Sequence, residues 1–294
     1  MAVSTLSINP STLVGSDAAG CTTGTARAGL PDWALMCRIG RNSDRWNATT
    51  ARSHTSEGVA VEVSFWLVDP PGISYFSVRC PGYQNRFSFS WLEYAEDAFV
   101  LFSITCRGSA SIHYFVYTAR GRGPAVTRPS LRPLPQPRPA FFDWQQSFGI
   151  LPRGSEHYAV AVVDCNLDKN NDRWRFDIHI FWSETRAWRS SEASLAHLSK
   201  SNRRLCREHA LSKQITVGVG SLGWVDSDHG ILLLHNLFDN GGPVIDLIPL
   251  PRCASLYFFY DIACCDDGLI KLVEIKHDGP LDLSTGGQGW RATV

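Results

Sequence analysis

Apolar residues in this chain recur at every second position in brief runs, not at the three-to-four spacing of a helix. Val59, Val61, Val63 and Phe65 fall on one side of their segment, with Glu62 and Ser64 on the other, which predicts a half-buried strand. Asp69-Pro70-Pro71-Gly72 then turns the chain, and Ile73–Arg79 returns as its partner. The same style predicts strands over 87–91, 98–105, 113–118, 158–165, 175–182, 231–237, 244–248, 256–263 and 268–275. One stretch reads as helix, from 192 to 211, with Leu195, Leu198, Leu205 and Leu211 on a loose apolar side. Ser199 and Asn202 weaken it, so a short helix is expected inside an insertion spanning about 191–212.

Several of these runs repeat one sketch: an apolar strand, a turn of small residues, then an edge strand. FDIHIFWSETRAW, GILLLHNLFDNGGPVIDLIPLP and GLIKLVEIKHDGPLDLSTGGQGW carry it. Their spacing of about 40 to 60 residues lies near the period of propeller blades. The expected fold is therefore all-β, a propeller-like arrangement of short antiparallel sheets, complete or incomplete, with one short helical insertion. Residues 30–294 are expected to form a single β-rich domain, preceded by a disordered leader over 1–29. That leader is rich in Ser and Thr with a single acid before Arg27, a faint echo of a transit peptide. PAVTRPSLRPLPQPRP, inside about 121–140, reads as an extended crossing segment; its prolines alternate and miss the period of three that SH3-like grooves want.

Composition sharpens the class without naming an activity. The chain has 294 residues, 44% hydrophobic, enough to bury roughly 75% of its unfolded surface. Basic and acidic residues balance at 28 each, which argues against general attraction to nucleic acid or to an anionic membrane. Nine cysteines at irregular spacing, with no C-x-x-C, read as buried thiols of an intracellular protein of the cytoplasm or nucleus. No apolar run approaches the 18 or so residues that span a bilayer.

The sharpest motif is GVGSLGWVDSDHGILLLHNL. Gly218, Gly220 and Gly223 have the spacing that cradles a dinucleotide pyrophosphate, but that use requires a helix directly afterwards. Here Trp224, Val225 and Asp226 lead to a turn and a β run, so two strands and a turn are expected instead. Asp226, Asp228 and His229 then sit at a hairpin tip, where Asp stabilises turns through its own backbone. DCNLDKNND alternates like a calcium loop, yet Lys169 stands where Gly is needed and Arg175 where Glu is needed. His113, His179 and His235 lie in strand-like runs and are expected to be hydrogen-bonded strand residues. Cys264-Cys265 reads as a strand end. There is no G-x-S-x-G, no H-E-x-x-H and no phosphate loop, and neither cofactor nor metal is expected.

Many separate segments stand in a familiar order: LPDWALM, WNATTARSHTSEG, VSFWLVDPPGISYFSVRCPG, FVLFSITC, YFVYTA, FGILPRGSEHYAVA, FDIHIFWSETRAW, LGWVDSDHGILLLHNL and IPLP. In these the chain resembles, over most of its length from Leu30, a family of plant proteins expanded in grasses and catalogued as domain of unknown function 1618. The resemblance implies a β-rich, propeller-like domain and carries over no catalytic residues. Two departures stand out. Asp228 and His229 replace the aromatic and basic residues usual after G-W-V-D, and the chain stops at Val294 where members continue. A shortened member would leave an unpaired sheet edge. The function expected is a non-catalytic protein-interaction module with Trp224, Asp226, Asp228 and His229 as its candidate interaction loop, its protein partner unspecified. The alternative is an enzyme or carbohydrate-binding protein using a pocket in a central channel, where carboxylates or histidines of several units would converge. An F-box-type adaptor finds no helical module before Trp33.

Overall fold

In the computed structural model the described residues are 3–6, 34–69, 71–81, 87–106, 112–119, 128–136, 148–154, 156–168, 173–193, 195, 197–239, 242–250, 258–265, 269–277 and 290–293. They form 21 strands and one helix. The chain separates into two compact units. The first holds 1–142, 150–161 and 180–189; the second holds 143–149, 162–179 and 190–294.

The first unit contains two sheets. One has the order β1 (Val3–Leu6), β2 (Ala34–Cys37), β6 (Ile73–Arg79), β5 (Ala60–Trp66), β4 (Ala51–His54), with β3 (Arg41–Asn42) also on β6. Both β2 and β3 run parallel to β6, while β1–β2, β4–β5 and β5–β6 pair antiparallel as expected. Residues 3–6 pair with β2 in the register Val3↔Cys37, so this part of the anticipated leader is drawn into a sheet; the rest of it lies outside the described residues. The other sheet has the order β10 (Ser130–Leu134), β9 (Ile112–Thr118), β8 (Phe99–Cys106), β7 (Phe87–Glu96).

Alternation explains how these sheets share a core. Val61, Val63 and Phe65 of β5 and Phe76 and Val78 of β6 turn one way, and Phe102, Ile104, Phe115 and Tyr117 of β8 and β9 meet them. Phe65 packs against Tyr117 with ring centroids 4.6 Å apart, and Phe102 lies between Phe76 and Phe115 at 6.0 and 5.7 Å. Offset and tilted rings at these distances add about 0.5–1.5 kcal/mol per pair beyond the area they bury.

A short backbone segment fastens the two sheets together. Between β2 and β3 the chain leaves β6 and reaches β7: Leu92 N–H donates to Arg38 O at 2.8 Å, Gly40 N–H donates to Ser90 O at 3.1 Å, and Ile39 bridges Trp91. The Arg38 side chain adds bonds from Nε to Leu92 O and from Nη2 to Glu93 O, both 3.0 Å. A Cβ at residue 40 would fall within 2.7 Å of the Phe76 ring and collide with Ser90 Oγ, so only glycine fits.

The proline-rich segment is described over 128–136 and does more than cross. It supplies β10, an edge strand in the register Leu131↔Tyr117 and Pro133↔Phe115. Proline is tolerated in a ladder only where its nitrogen faces away from the partner strand. Pro133 therefore leaves the outer edge of β10 without a donor at that position.

A third sheet has the order β11 (Gly149–Arg153), β12 (His157–Asp168), β13 (Arg173–Trp182), β14 (Ala187–Glu192). The second unit also holds β15 (Lys213–Thr216), β16 (Leu222–Asp226), β17 (Gly230–His235), β18 (Val244–Ile248) side by side, and β19 (Phe258–Cys264), β20 (Ile270–His277), β21 (Trp290–Thr293). Ile215, Val225, Ile231 and Ile262 form its apolar centre. The helix α1 (Lys200–Glu208) is shorter than the insertion expected over 191–212. Its start is set by Ser199, whose Oγ accepts from Asn202 N–H at 3.1 Å, and the preceding 187–192 is strand. The residue that weakens a longer helix is the cap of the real one.

Gly40→Ala is expected to destabilise the protein by about 1–3 kcal/mol through overpacking. Ser90 Oγ is buried with no hydrogen-bond partner among the described residues, so Ser90→Ala alone is expected to be neutral or slightly stabilising. The double variant should recover part of the Gly40→Ala loss, as read from urea unfolding midpoints.

Candidate functional site

The glycine motif resolves into two hairpins. β15 leads to a tight turn in which Gly218 and Gly220 have φ of 59° and 81°, and β16 follows at once with no helix. Gly223 lies within the sheet, where a Cβ would come to 2.9 Å from Ile215 and from Ile231. Nothing here presents a helix N-terminus to a phosphate.

The turn from β16 to β17 brings together three of the four candidate loop residues. Asp226 Oδ1 accepts from the N–H groups of Asp228 at 2.8 Å and His229 at 3.3 Å, and Oδ2 accepts from Ala210 N–H at 2.5 Å. His229 Nδ1 lies 2.8 Å from the same Oδ2. Burial pushes the Asp226 carboxyl up, but the bonds from Ala210, Asp228 and His229 outweigh it and hold the group below the ordinary aspartate value. Gly230 closes the hairpin with φ of 108°, against a carbonyl of Ile248 that would stand 2.5 Å from any Cβ. The expected interaction loop is corrected here: Trp224 is fully buried and Asp226 is 5% exposed, because both faces of β16 are covered. Only Asp228 is exposed, with His229 half-buried.

An aspartate orienting an imidazole is also half of a nucleophilic triad. The other ring nitrogen of His229, however, faces Glu208 Oε2 at 3.8 Å, an acceptor and no nucleophile. Beside it, burial lowers the His209 pKa while its Nε2 sits 3.1 Å from Gly230 O. The cluster ties the end of α1 to the hairpin.

The remaining titratable motifs behave alike, with one exception. His235 Nε2 and His197 Nε2 each lie 2.9 Å from an oxygen of Asp246, joining the segment before α1 to β17 and β18. His179 Nδ1 lies 2.7 Å from Ser190 Oγ across β13 and β14. His235 and His179 are hydrogen-bonded strand residues, as expected, and His197 lies outside the strands; His113 Nε2 has no hydrogen-bond partner among the described residues. Burial raises the thiol of Cys165 to about 12 and of Cys206 to about 11, which makes both poor nucleophiles. Residues 169–172 of the calcium-like loop lie outside the described residues. Among the described residues no group of three His, Cys, Asp or Glu is placed to hold a metal ion, and no helix is long and apolar enough to cross a membrane.

What sequence reasoning passed over is the outer face of β5 and β6. Trp66 and Tyr75 are directly opposite in register and stack at 6.1 Å with planes 14° apart. The Arg41 guanidinium stands 3.9 Å from the centre of the Tyr75 ring. Trp66 Nε1 donates to Ser77 Oγ at 3.1 Å. Trp46, 74% exposed, sits on a loop that Asn47 fastens to Phe65 O at 2.7 Å, one residue from Trp66. Beside this row Glu62 pairs with Arg52 at 2.8 Å and with Arg79 at 3.1 Å, and Arg79 reaches Asp44 at 3.0 Å. Burial pushes the Glu62 carboxyl up, yet its two arginines bring it below the usual range. The period-two pattern of AVEVSFW and ISYFSVR already put Trp66 and Tyr75 on the face away from the core, and that was the available signal.

No family model, no curated protein and no solved structure matches this chain.

Asp226→Asn is expected to lower stability at pH 7 by about 1–3 kcal/mol, since the carboxylate satisfies several donors at once. The folded-state pKa is depressed, so the contribution is present above the unfolded value of about 3.9 and fades as pH falls through the folded value. Urea midpoints of variant and wild type should therefore converge below about pH 3.9.

Proposed function

We propose that the protein is a non-catalytic, propeller-like interaction module that binds a protein partner through the outer face of β5 and β6. The observation that carries this reading is the row Arg41–Tyr75–Trp66 beside the exposed Trp46. Trp, Tyr and Arg are the residues that dominate binding energy at protein interfaces, and a large exposed indole on a fastened loop costs little ordering entropy on docking. Four guanidinium groups, of Arg41, Arg45, Arg52 and Arg79, accompany only two carboxylates, of Asp44 and Glu62, which suits a partner with an acidic rim.

The sheet order supports the propeller-like part of the proposal. Five sheets follow one another along the chain, and in three of them four consecutive strands lie side by side in sequence order. The ordered motifs support kinship with the plant family of domain of unknown function 1618. Free thiols at Cys37, Cys165, Cys206, Cys264 and Cys265 support an intracellular setting. The alternative, an enzyme or carbohydrate binder working from a central channel, would draw ionisable groups from several sheets. The clusters found, around Asp226 and Asp246, involve β16–β18 and the segment that carries α1.

Affinity capture from cell extract with wild-type protein and with the Trp46→Ala/Arg41→Ala double variant tests the reading. The variant is expected to hold its specific partners at least about tenfold more weakly, the scale of a lost hot spot, while Asp228→Ala retains them. An unchanged partner set with the double variant would sink it.

A further inference from the structure

The outward side of α1 is cationic. Lys200, Arg203, Arg204 and Arg207 stand at i, i+3, i+4 and i+7. At 3.6 residues per turn they fall within an arc of about 100° and form one stripe. Lys200, Arg204 and Arg207 are exposed, and Arg203 is half-buried. Cys206, off this arc, is buried, as is Leu198 just ahead of the helix. The helix therefore lays its apolar side on the protein and turns four cations away from it.

Little offsets that charge. Glu208, the one acid in the helix, accepts from Arg204 Nε at 3.0 Å. Lys200, Arg203 and Arg207 make no ion pair among the described residues. The neighbouring carboxylates, Asp226 and Asp246, are already held by imidazoles and by the Ala210 N–H. Like charges three or four residues apart destabilise a helix, and 200–203, 200–204, 203–207 and 204–207 are all such pairs. The first turn holds no acid, so Lys200 also faces the positive end of the helix dipole. This face works against its own helix, and an anion laid along it reverses the cost.

Size and composition narrow the partner. The stripe is about 10 Å long at 1.5 Å per residue, the reach of a few carboxylates on one acidic segment. It holds no apolar residue to enter an acyl layer and no ring to stack on a base. Across the chain 28 basic residues balance 28 acidic ones, so no long-range field draws in a nucleic acid or a charged membrane. Three of the four cations are arginines, whose planar forks take a carboxylate with two bonds at once. We propose that α1 docks an acidic segment of a partner protein, its Asp or Glu carboxylates lying along Lys200, Arg203, Arg204 and Arg207. This surface belongs to the second unit and is separate from the aromatic face on β5 and β6.

Titration of the full chain with fluorescein-labelled decaglutamate, against decaglutamine, tests this. Decaglutamate is expected to bind saturably, more weakly as salt rises, and to slow hydrogen exchange of the α1 amides by relieving repulsion. Two variants that lose equal charge separate this stripe from general electrostatics. Arg203→Gln/Arg207→Gln keeps the helix, because Gln and Arg are comparable helix formers, and is expected to weaken decaglutamate at least about tenfold. Arg153→Gln/Arg189→Gln, on β11 and β14, is expected to stay within about twofold of wild type. No saturable binding, equal binding of decaglutamine, equal losses in the two variants or unchanged exchange of the α1 amides would overturn the proposal. Tighter binding of duplex DNA or of phosphatidylserine vesicles than of decaglutamate would overturn it as well.

Discussion

The first unit depends on one constraint: three residues between β2 and β3 belong to two sheets at once. Arg38 and Gly40 hydrogen-bond to β7, while β2 and β3 on either side of them pair with β6. The aromatic contacts of Phe65, Phe76, Phe102 and Tyr117 require the sheets to keep one separation and one lateral register, and this segment sets both. Arg38 accepts burial to do so. Desolvation lowers its pKa against the pull of Glu93, and burial raises Glu93 against the Ser103 bond at 2.6 Å and the charge of Arg38. A half-buried pair of this kind contributes little net stability, because desolvation offsets most of the attraction. What it contributes is alignment, since any slip would strand a charge away from water.

Much of the architecture was legible because burial here follows the pleat. The strands at 60–66, 73–79 and 244–248 lie within a residue of their expected bounds, since each alternates or is uniformly apolar. Illegible strands were those whose side chains carry no such signal. β14 is polar and largely exposed, held by its place beside β13, and β10 contains a proline that would argue against any central strand. Trp224 misled for a different reason. An aromatic beside an aspartate and near a turn resembles a displayed loop, but β16 has β15 and β17 on its two sides and is covered on both faces. Burial on both faces depends on neighbours distant in sequence, which a local pattern does not encode.

Most ionisable residues that assemble in the second unit act as fasteners. Asp226 gathers backbone donors at a hairpin tip, and Asp246 gathers two imidazoles from different segments. In each case a carboxylate ties the chain that carries α1 to the sheet beside it, adding to the burial of Leu198 and Cys206. Lys213 does comparable work between β15 and β19 through Asp261 and Ile262 O.

Pro133 gives β10 an outer rim that cannot serve as a template. A peptide offered in extended form would find the row of backbone donors interrupted by a pyrrolidine ring, which disfavours recruitment of a further strand along this border. Ligands seeking this side of the molecule gain more from its side chains than from its backbone, and extended backbone mimics, the usual route to competing with sheet-edge recognition, lose one hydrogen bond at Pro133.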